Sequence, residues 1–324
     1  MLKAHKLTLA VFINAALIST SFASEQSEAK GFVEDAEGSV LFRTGFLTRD
    51  KKNGNADTRS TAQTAMVKLE SGFTQGVVGF GAGVIGDASV KLGENKHAGN
   101  GMIPQHNDGS AYDHWARGGA FVKARVSNTT AVYGTQVLDI PVLASNTARL
   151  VPEYFEGFLV TSNEIDNLEL TAGKFTKNQY SDQINSDGNH LDRAVVWGAK
   201  YTFNDDLNAS YWGTEVKDKL DRHYANVNYT QGLKDDASLN FDVSGYHTKF
   251  DKNASTYSAT GPVAPNYAET GIAGVEKTND IWAVSTTYSK DVHNVMLAYQ
   301  QNFGDVGYDY GSNADGNQSI YLPN

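Results

Sequence analysis

The chain has 324 residues, no cysteine, 31 glycines, 16 tyrosines and a formal net charge of −10; 20% of its residues are charged and the mean hydropathy is −0.41. Without cysteine there is no disulfide framework, no thiolate zinc site and no cysteine nucleophile, and the acidic balance argues against nucleic acid, whose binding rests on Lys and Arg neutralising phosphates. Past the first two dozen residues no apolar run approaches the ~20 residues of a membrane-crossing helix, whereas low charge with many Gly and Tyr suits a polar β-barrel of an outer membrane.

Residues 1–23 read as an export signal. Lys3, His5 and Lys6 precede an apolar run over 7–18, and Ser21-Phe22-Ala23 sets small residues at −3 and −1, so cleavage is expected after Ala23. Removal takes away Lys3 and Lys6 and no acid, which moves the formal charge two units below −10.

From there the period is two, in segments of roughly ten residues. In chain order the predicted strands are 40–49, 65–73, 77–92, 118–127, 130–138, 157–163, 168–176, 193–203, 207–216, 222–230, 238–248, 281–288 and 292–302. The clearest is 193–203, where Val195, Trp197, Ala199, Tyr201 and Phe203 oppose Ala194, Gly198, Lys200 and Thr202. Connections alternate in length. Short turns are expected at 74–76, 128–129, 165–167, 204–206, 234–236 and 290–291, and long polar loops at 50–61, 93–116, 139–156, 177–192, 251–280 and 304–318, with 217–221 a shorter member of the long set. That alternation is the habit of an outer-membrane meander barrel with periplasmic turns and external loops. A sandwich would bury one strand face in a core. Here the polar faces carry isolated charges, Lys68, Lys123, Arg125, Lys200 and Asp242, which cost several kcal/mol if buried alone and little in a water-filled lumen. Aromatics gather near strand ends, as interfacial girdles do.

Two stretches, SGFTQGVVGFGAG at 71–83 and GGAFVKARVSNTTAVYGTQVLDIPVLASNTARLVPEYFEGFLVTSNEIDNLELTAGKFT at 118–176, resemble the OprD family of substrate-selective outer-membrane porins, also called Occ channels. The match extends over GFVEDAEGSVLFRTGFLTRD at 31–50, HNDGSAYDHWARGG at 106–119, 224–250 and 296–311, and looks most like Acinetobacter-type members. The resemblance implies an all-β fold, a transmembrane antiparallel meander β-barrel of eighteen strands, about thirteen of them present here, and a bacterial outer-membrane location. It implies that the loop 139–156 folds inward as a constriction; Pro141, Pro152, Val142, Leu143, Leu150 and Val151 suit an ordered, packed loop. It implies diffusion of small carboxylate-bearing nutrients, including basic amino acids and aromatic acids, and of carbapenems, along a ladder of Arg and Lys that attracts anions without trapping them. Carried onto this chain, the candidate path residues are Arg43, Lys123 and Arg125, with Arg149 and Asp139 from the loop.

The same resemblance implies about a quarter of the barrel beyond the final SIYLPN, so a truncated or partial product is one expectation. Partners expected are lipid, lipopolysaccharide and the outer-membrane assembly machinery, with a monomeric or loosely trimeric state, no nucleic acid, and no cofactor or metal. His97, His106, Asp108, Asp113 and His114 share a loop but match no metal motif. Asp50, Asp57, Asp113 and Asp309 are candidate contacts for divalent cations shared with lipopolysaccharide. Two other classes compete: a secreted all-β adhesin with binding loops, and a serine peptidase using His190, His223 or His247, for which no GxSxG elbow exists.

Overall fold

The computed structural model describes residues 24–51, 56–93, 100–185, 191–251 and 277–305. The proposed signal at 1–23, His97, His190, Asp309 and the terminal SIYLPN lie outside these.

Among the described residues there is no helix. The strands are β1 (Glu37–Arg49), β2 (Thr58–Glu70), β3 (Val78–Lys91), β4 (His114–Val126), β5 (Thr129–Gln136), β6 (Asp139–Ile140), β7 (Leu143–Ala144), β8 (Tyr154–Ile165), β9 (Leu168–Gln179), β10 (Ala194–Asn204), β11 (Leu207–Val216), β12 (Leu220–Gly232), β13 (Ser238–Phe250), β14 (Lys277–Lys290) and β15 (His293–Gly304). All but β6 and β7 form one 13-stranded sheet in which every neighbour is antiparallel and consecutive along the wall; β6 and β7 make a separate two-residue hairpin. This is the all-β meander read from the alternation. The sheet is not closed: β1 and β15 are its edges among the described residues.

Register fixes two faces. Arg43 of β1 opposes Thr64 of β2, which opposes Ser89 of β3, which opposes Trp115 of β4, so these side chains share one face. On the other face Phe42 is 69%, Phe80 59% and Leu297 77% exposed. An apolar face left this open has no second sheet to cover it, so it is a lipid-facing belt and not half of a sandwich core. At the short-turn end of that belt Tyr201 packs edge-on against Phe203 and Tyr229 stacks on Phe241, forming part of a girdle.

The sheet must curl. Tyr246 Oη of β13 donates to Pro141 O at 3.0 Å, and Arg43 of β1 bonds carbonyls at 147–150, all within one loop. In a flat sheet β1 and β13 would stand roughly 50 Å apart at the usual strand spacing. Glycine helps the bend where Gly86 faces Gly118: φ at Gly118 is +148°, and a Cβ there would lie 2.4 Å from Ile85 O.

Expected turns at 128–129, 165–167, 204–206, 234–236 and 290–291 are short in the structure, the first of them lying at 127–128; Asn167, Asp235, Asp236 and Asp291 take positive φ, which Asn and Asp tolerate best. Several boundaries differ from the sequence reading. The connection at 217–221 is a tight turn, because Asp218 adopts φ +59° and lets β11 run directly into β12. The connection at 74–76 extends over 71–77, because an N-terminal arm over 24–36 hydrogen-bonds along it. β2 begins at Thr58 and β4 at His114, earlier than the alternation suggested, since polar inner faces near the strand ends leave little apolar contrast. The inward loop ends at residue 153, because Tyr154–Glu156 already pair with β9.

Candidate functional site

The inner face of β4 carries Trp115, Arg117, Phe121, Lys123 and Arg125 by parity. Gly81 and Gly79 stand opposite Lys123 and Arg125 in register. A Cβ at Gly81 would meet Lys123 Cε at 2.5 Å, so the absent side chain is the room the lysine occupies. Lys123 Nζ sits 2.6 Å from Glu70 Oε1, and Lys68 Nζ 2.6 Å from Glu70 Oε2, so two cations share one carboxylate. Phe73 underlies both long cations, 4.4 Å from Lys123 Nζ and 4.2 Å from Arg125 Cζ. Arg125 Nε donates to Gln26 Oε1 at 3.2 Å, while Glu25 comes only to 3.8 Å.

Arg117, eight residues before Arg125 on the same parity, is the buried hub that sequence reasoning missed. Its Nη2 donates to Asp87 Oδ2 at 3.0 Å and to Pro152 O at 2.8 Å, and its Nη1 to Tyr180 O at 2.5 Å. Tyr154 Oη donates to the same Asp87 oxygen at 2.9 Å. The signal was available: Arg117 has the parity of Lys123 and Arg125, but the predicted strand began at Gly118 and cut it off.

Arg43 points Nη1 at the inward loop and donates to Thr147 O, Arg149 O and Leu150 O at 3.4, 2.9 and 3.4 Å. Residues 137–153 thus cross from β5 to β1. The loop joins two apolar clusters on the inner face. Ile140, Val142 and Leu143 pack with Phe155, Phe175, Val196, Trp212 and Phe250; Leu150 and Val151 pack with Ala62, Met102, Ile103 and Trp115. Asp139 lies in β6 and is exposed. Arg149 is half-buried beside Gly101 and Asp182.

Two loop carboxyls sit in strongly non-aqueous surroundings. Glu153 is fully buried and accepts from Asn178 Nδ2 at 2.7 Å and Asn146 N at 3.2 Å; desolvation pushes it up to about 8 against the pull of those bonds. Burial also raises Asp182, with Arg117 and Arg149 opposing. On the exterior loops, Ser110 holds Asp108 low through side-chain and backbone bonds, and Lys91 holds Asp113 low.

The far wall is different. Asp242 accepts from Asn226 Nδ2 at 2.9 and 3.0 Å and from Asn228 Nδ2 at 2.9 Å, and Asn240 bridges Asn228 and Thr230. Lys200 shares that inner face on β10, exposed, with no ion-pair partner among the described residues.

Among the described residues no group of three or more His, Cys, Asp or Glu is arranged to hold a metal. His223 and His247 stand on the outer face, bonded to Tyr211 Oη and Asp280 Oδ1 at 2.8 and 2.6 Å, and among the described residues neither ring bonds a serine hydroxyl.

A family profile described as outer membrane porin, OprD family, matches residues 30–324. Porin D of Pseudomonas aeruginosa is 35% identical over 322 residues, covering 95% of this chain and 68% of that protein. The crystal structure of Acinetobacter baumannii OccAB1 superposes with a TM-score of 0.84 at 72% identity, covering 93% of this chain and 73% of that one. Pseudomonas aeruginosa OpdK, crystallised with vanillate, superposes with a TM-score of 0.72 at 27% identity, covering 86% and 70%.

Proposed function

The chain belongs to the OprD family of outer-membrane porins, and from that premise we propose that it is a selective diffusion channel for small carboxylate-bearing nutrients, with basic amino acids, aromatic acids and carbapenems among the solutes it passes. Its relatives are small-molecule porins of the outer membrane and not enzymes. Vanillate, bound by OpdK, is an aromatic carboxylate of the size this reading requires.

One observation carries the carboxylate preference: several inner-face cations are incompletely matched by acids. Arg43 is held by carbonyl oxygens, Arg125 by an amide oxygen with the Glu25 carboxylate only at 3.8 Å, Lys68 and Lys123 divide a single carboxylate, and Lys200 is exposed. Arg117 is matched by Asp87 and serves to anchor the loop. A row of incompletely neutralised cations draws an anion in, and partial neutralisation lets it leave again. The loop over 137–153 narrows the path between the two walls, and Arg149 and Asp139 contribute to its mouth. Insertion by the outer-membrane assembly machinery and a monomeric or loosely trimeric state complete the proposal.

The test is ion selectivity in planar bilayers, using protein purified from outer membranes. Arg125→Gln and Lys200→Gln are expected to shift the reversal potential toward cations, and to slow uptake of benzoate in liposome swelling. An unchanged reversal potential in both variants overturns the carboxylate path.

A further inference from the structure

The arm over 24–36 is an inserted segment to which conduction assigns no role. It lies along the short-turn end of the inner face: Gln26 N donates to Ser127 O, Glu25 N to Asn128 Oδ1, Gly72 N to Phe32 O, and Gln75 Nε2 to Lys30 O. Gln26 is buried, and its carboxamide is fully used. Nε2 donates to Thr74 O at 2.9 Å and Gly76 O at 3.1 Å, and Oε1 accepts from Arg125 Nε at 3.2 Å. The wall is shaped for this group: Gly79 is the register partner of Arg125, and a Cβ there would lie 2.3 Å from Gln26 Oε1.

We propose that Gln26 is a specificity-determining residue of the channel: its amide oxygen occupies the position at Arg125 that a permeating carboxylate oxygen takes, and its side chain is a displaceable cover on that cationic step. The inference rests on the carboxylate path proposed above. A neutral amide oxygen at 3.2 Å makes one long bond to the guanidinium, whereas a carboxylate adds the attraction of opposite charges and a second oxygen that fits the guanidinium fork. An arriving carboxylate therefore wins the exchange, while a neutral solute or chloride, lacking the paired oxygens that match a guanidinium, gains less. The backbone bonds of the arm stay in place, so only the side chain has to swing. Phe73, whose ring centre lies 4.2 Å from the guanidinium carbon, keeps Arg125 aimed when the amide leaves.

The protein purified from outer membranes is compared with Gln26→Ala, Gln26→Glu, Gly79→Ala and Arg125→Gln in planar bilayers, with potassium benzoate and potassium chloride as probes. Gln26→Ala removes the cover and Gly79→Ala expels it without changing a polar group. Both are expected to raise benzoate permeability relative to chloride about fivefold, the factor one hydrogen bond commands. Gln26→Glu places a tethered carboxylate on Arg125 and is expected to lower it by a similar factor. If Gln26→Ala or Gly79→Ala leaves benzoate permeability unchanged or reduced while Arg125→Gln lowers it, the inference falls and the path stands. If Arg125→Gln has no effect, the path at that residue falls and the inference with it. Should one variant fail to assemble, as read by heat-dependent gel mobility, the remaining two carry the same decision.

Discussion

The two walls of the channel hold their polar groups by opposite means. On the β1–β5 side, long cationic side chains reach across to elements inserted from elsewhere: Arg43 and Arg117 to the loop over 137–153, and Arg125 to the N-terminal arm. On the β12–β13 side, short amides and one carboxylate pair across neighbouring strands, Asn228 with Asp242 and Asn240 with Thr230 in direct register, and Asn226 with Asp242 one step along the diagonal. The first wall is therefore set by inserted segments, and its electrostatics change whenever those segments move. The second is part of the sheet and changes only if the sheet does.

The largest break in that contrast is expected from Arg117→Ala. It strands the buried Asp87 and frees Pro152 and Tyr180 carbonyls, and breaking a buried pair costs ~3–5 kcal/mol. Urea unfolding in detergent should show the loss, together with higher conductance from a loosened loop. Arg43→Ala is expected to cost about 1–3 kcal/mol as three carbonyl contacts vanish. Its mark should be local, with faster hydrogen exchange over 146–151 and little change in β12–β13.

Glu153 sharpens the comparison through pH. Burial holds it protonated up to about 8, whereas the same carboxyl in the unfolded chain titrates near 4.5. Between these values the folded chain binds more protons, so its contribution to stability is complete below the lower value and is lost as pH rises through about 8. Loop protection from exchange should fall on going from pH 6 to pH 9, and Glu153→Gln should abolish that dependence. The smallest effect is expected from Asp242→Asn, ~1 kcal/mol from weakened amide bonds, with a modest anion-ward shift in reversal potential and no change in the loop.

The wall of the barrel was legible because strand alternation is a local property. Val195, Trp197 and Tyr201 face lipid for the same reason they alternate, and Asp and Asn in the turns announce positive φ. The same logic failed where the outer face stops being apolar. At 58–64 the segment Thr-Arg-Ser-Thr-Ala-Gln-Thr has no hydrophobic contrast, yet Thr58, Ser60 and Thr64 are buried on the inner face of β2. The positions of Lys123 and Arg125 on the inner face also followed from parity. Their partners did not, because Gln26 lies 99 residues from Arg125 and Glu70 lies 53 from Lys123, and periodicity carries no information about such contacts. Arg43 shows the limit most clearly: the residue could be assigned a face, but nothing in its neighbours reveals that three backbone carbonyls wait for it.

The bonds from Arg43 to the loop join residues 104, 106 and 107 positions apart, whereas each wall strand pairs with the next one along the chain. Closing a contact of that span carries the entropy of everything between, so it forms late. A newly inserted sheet is consequently expected to pass through a stage in which β1 and β5 are already in place and the loop between them is not yet docked. The membrane wall is therefore expected to form first and the inward loop to dock on Arg43 afterwards. Conductance recorded during insertion should begin high and settle downward, and in Arg43→Ala the settling should be slower.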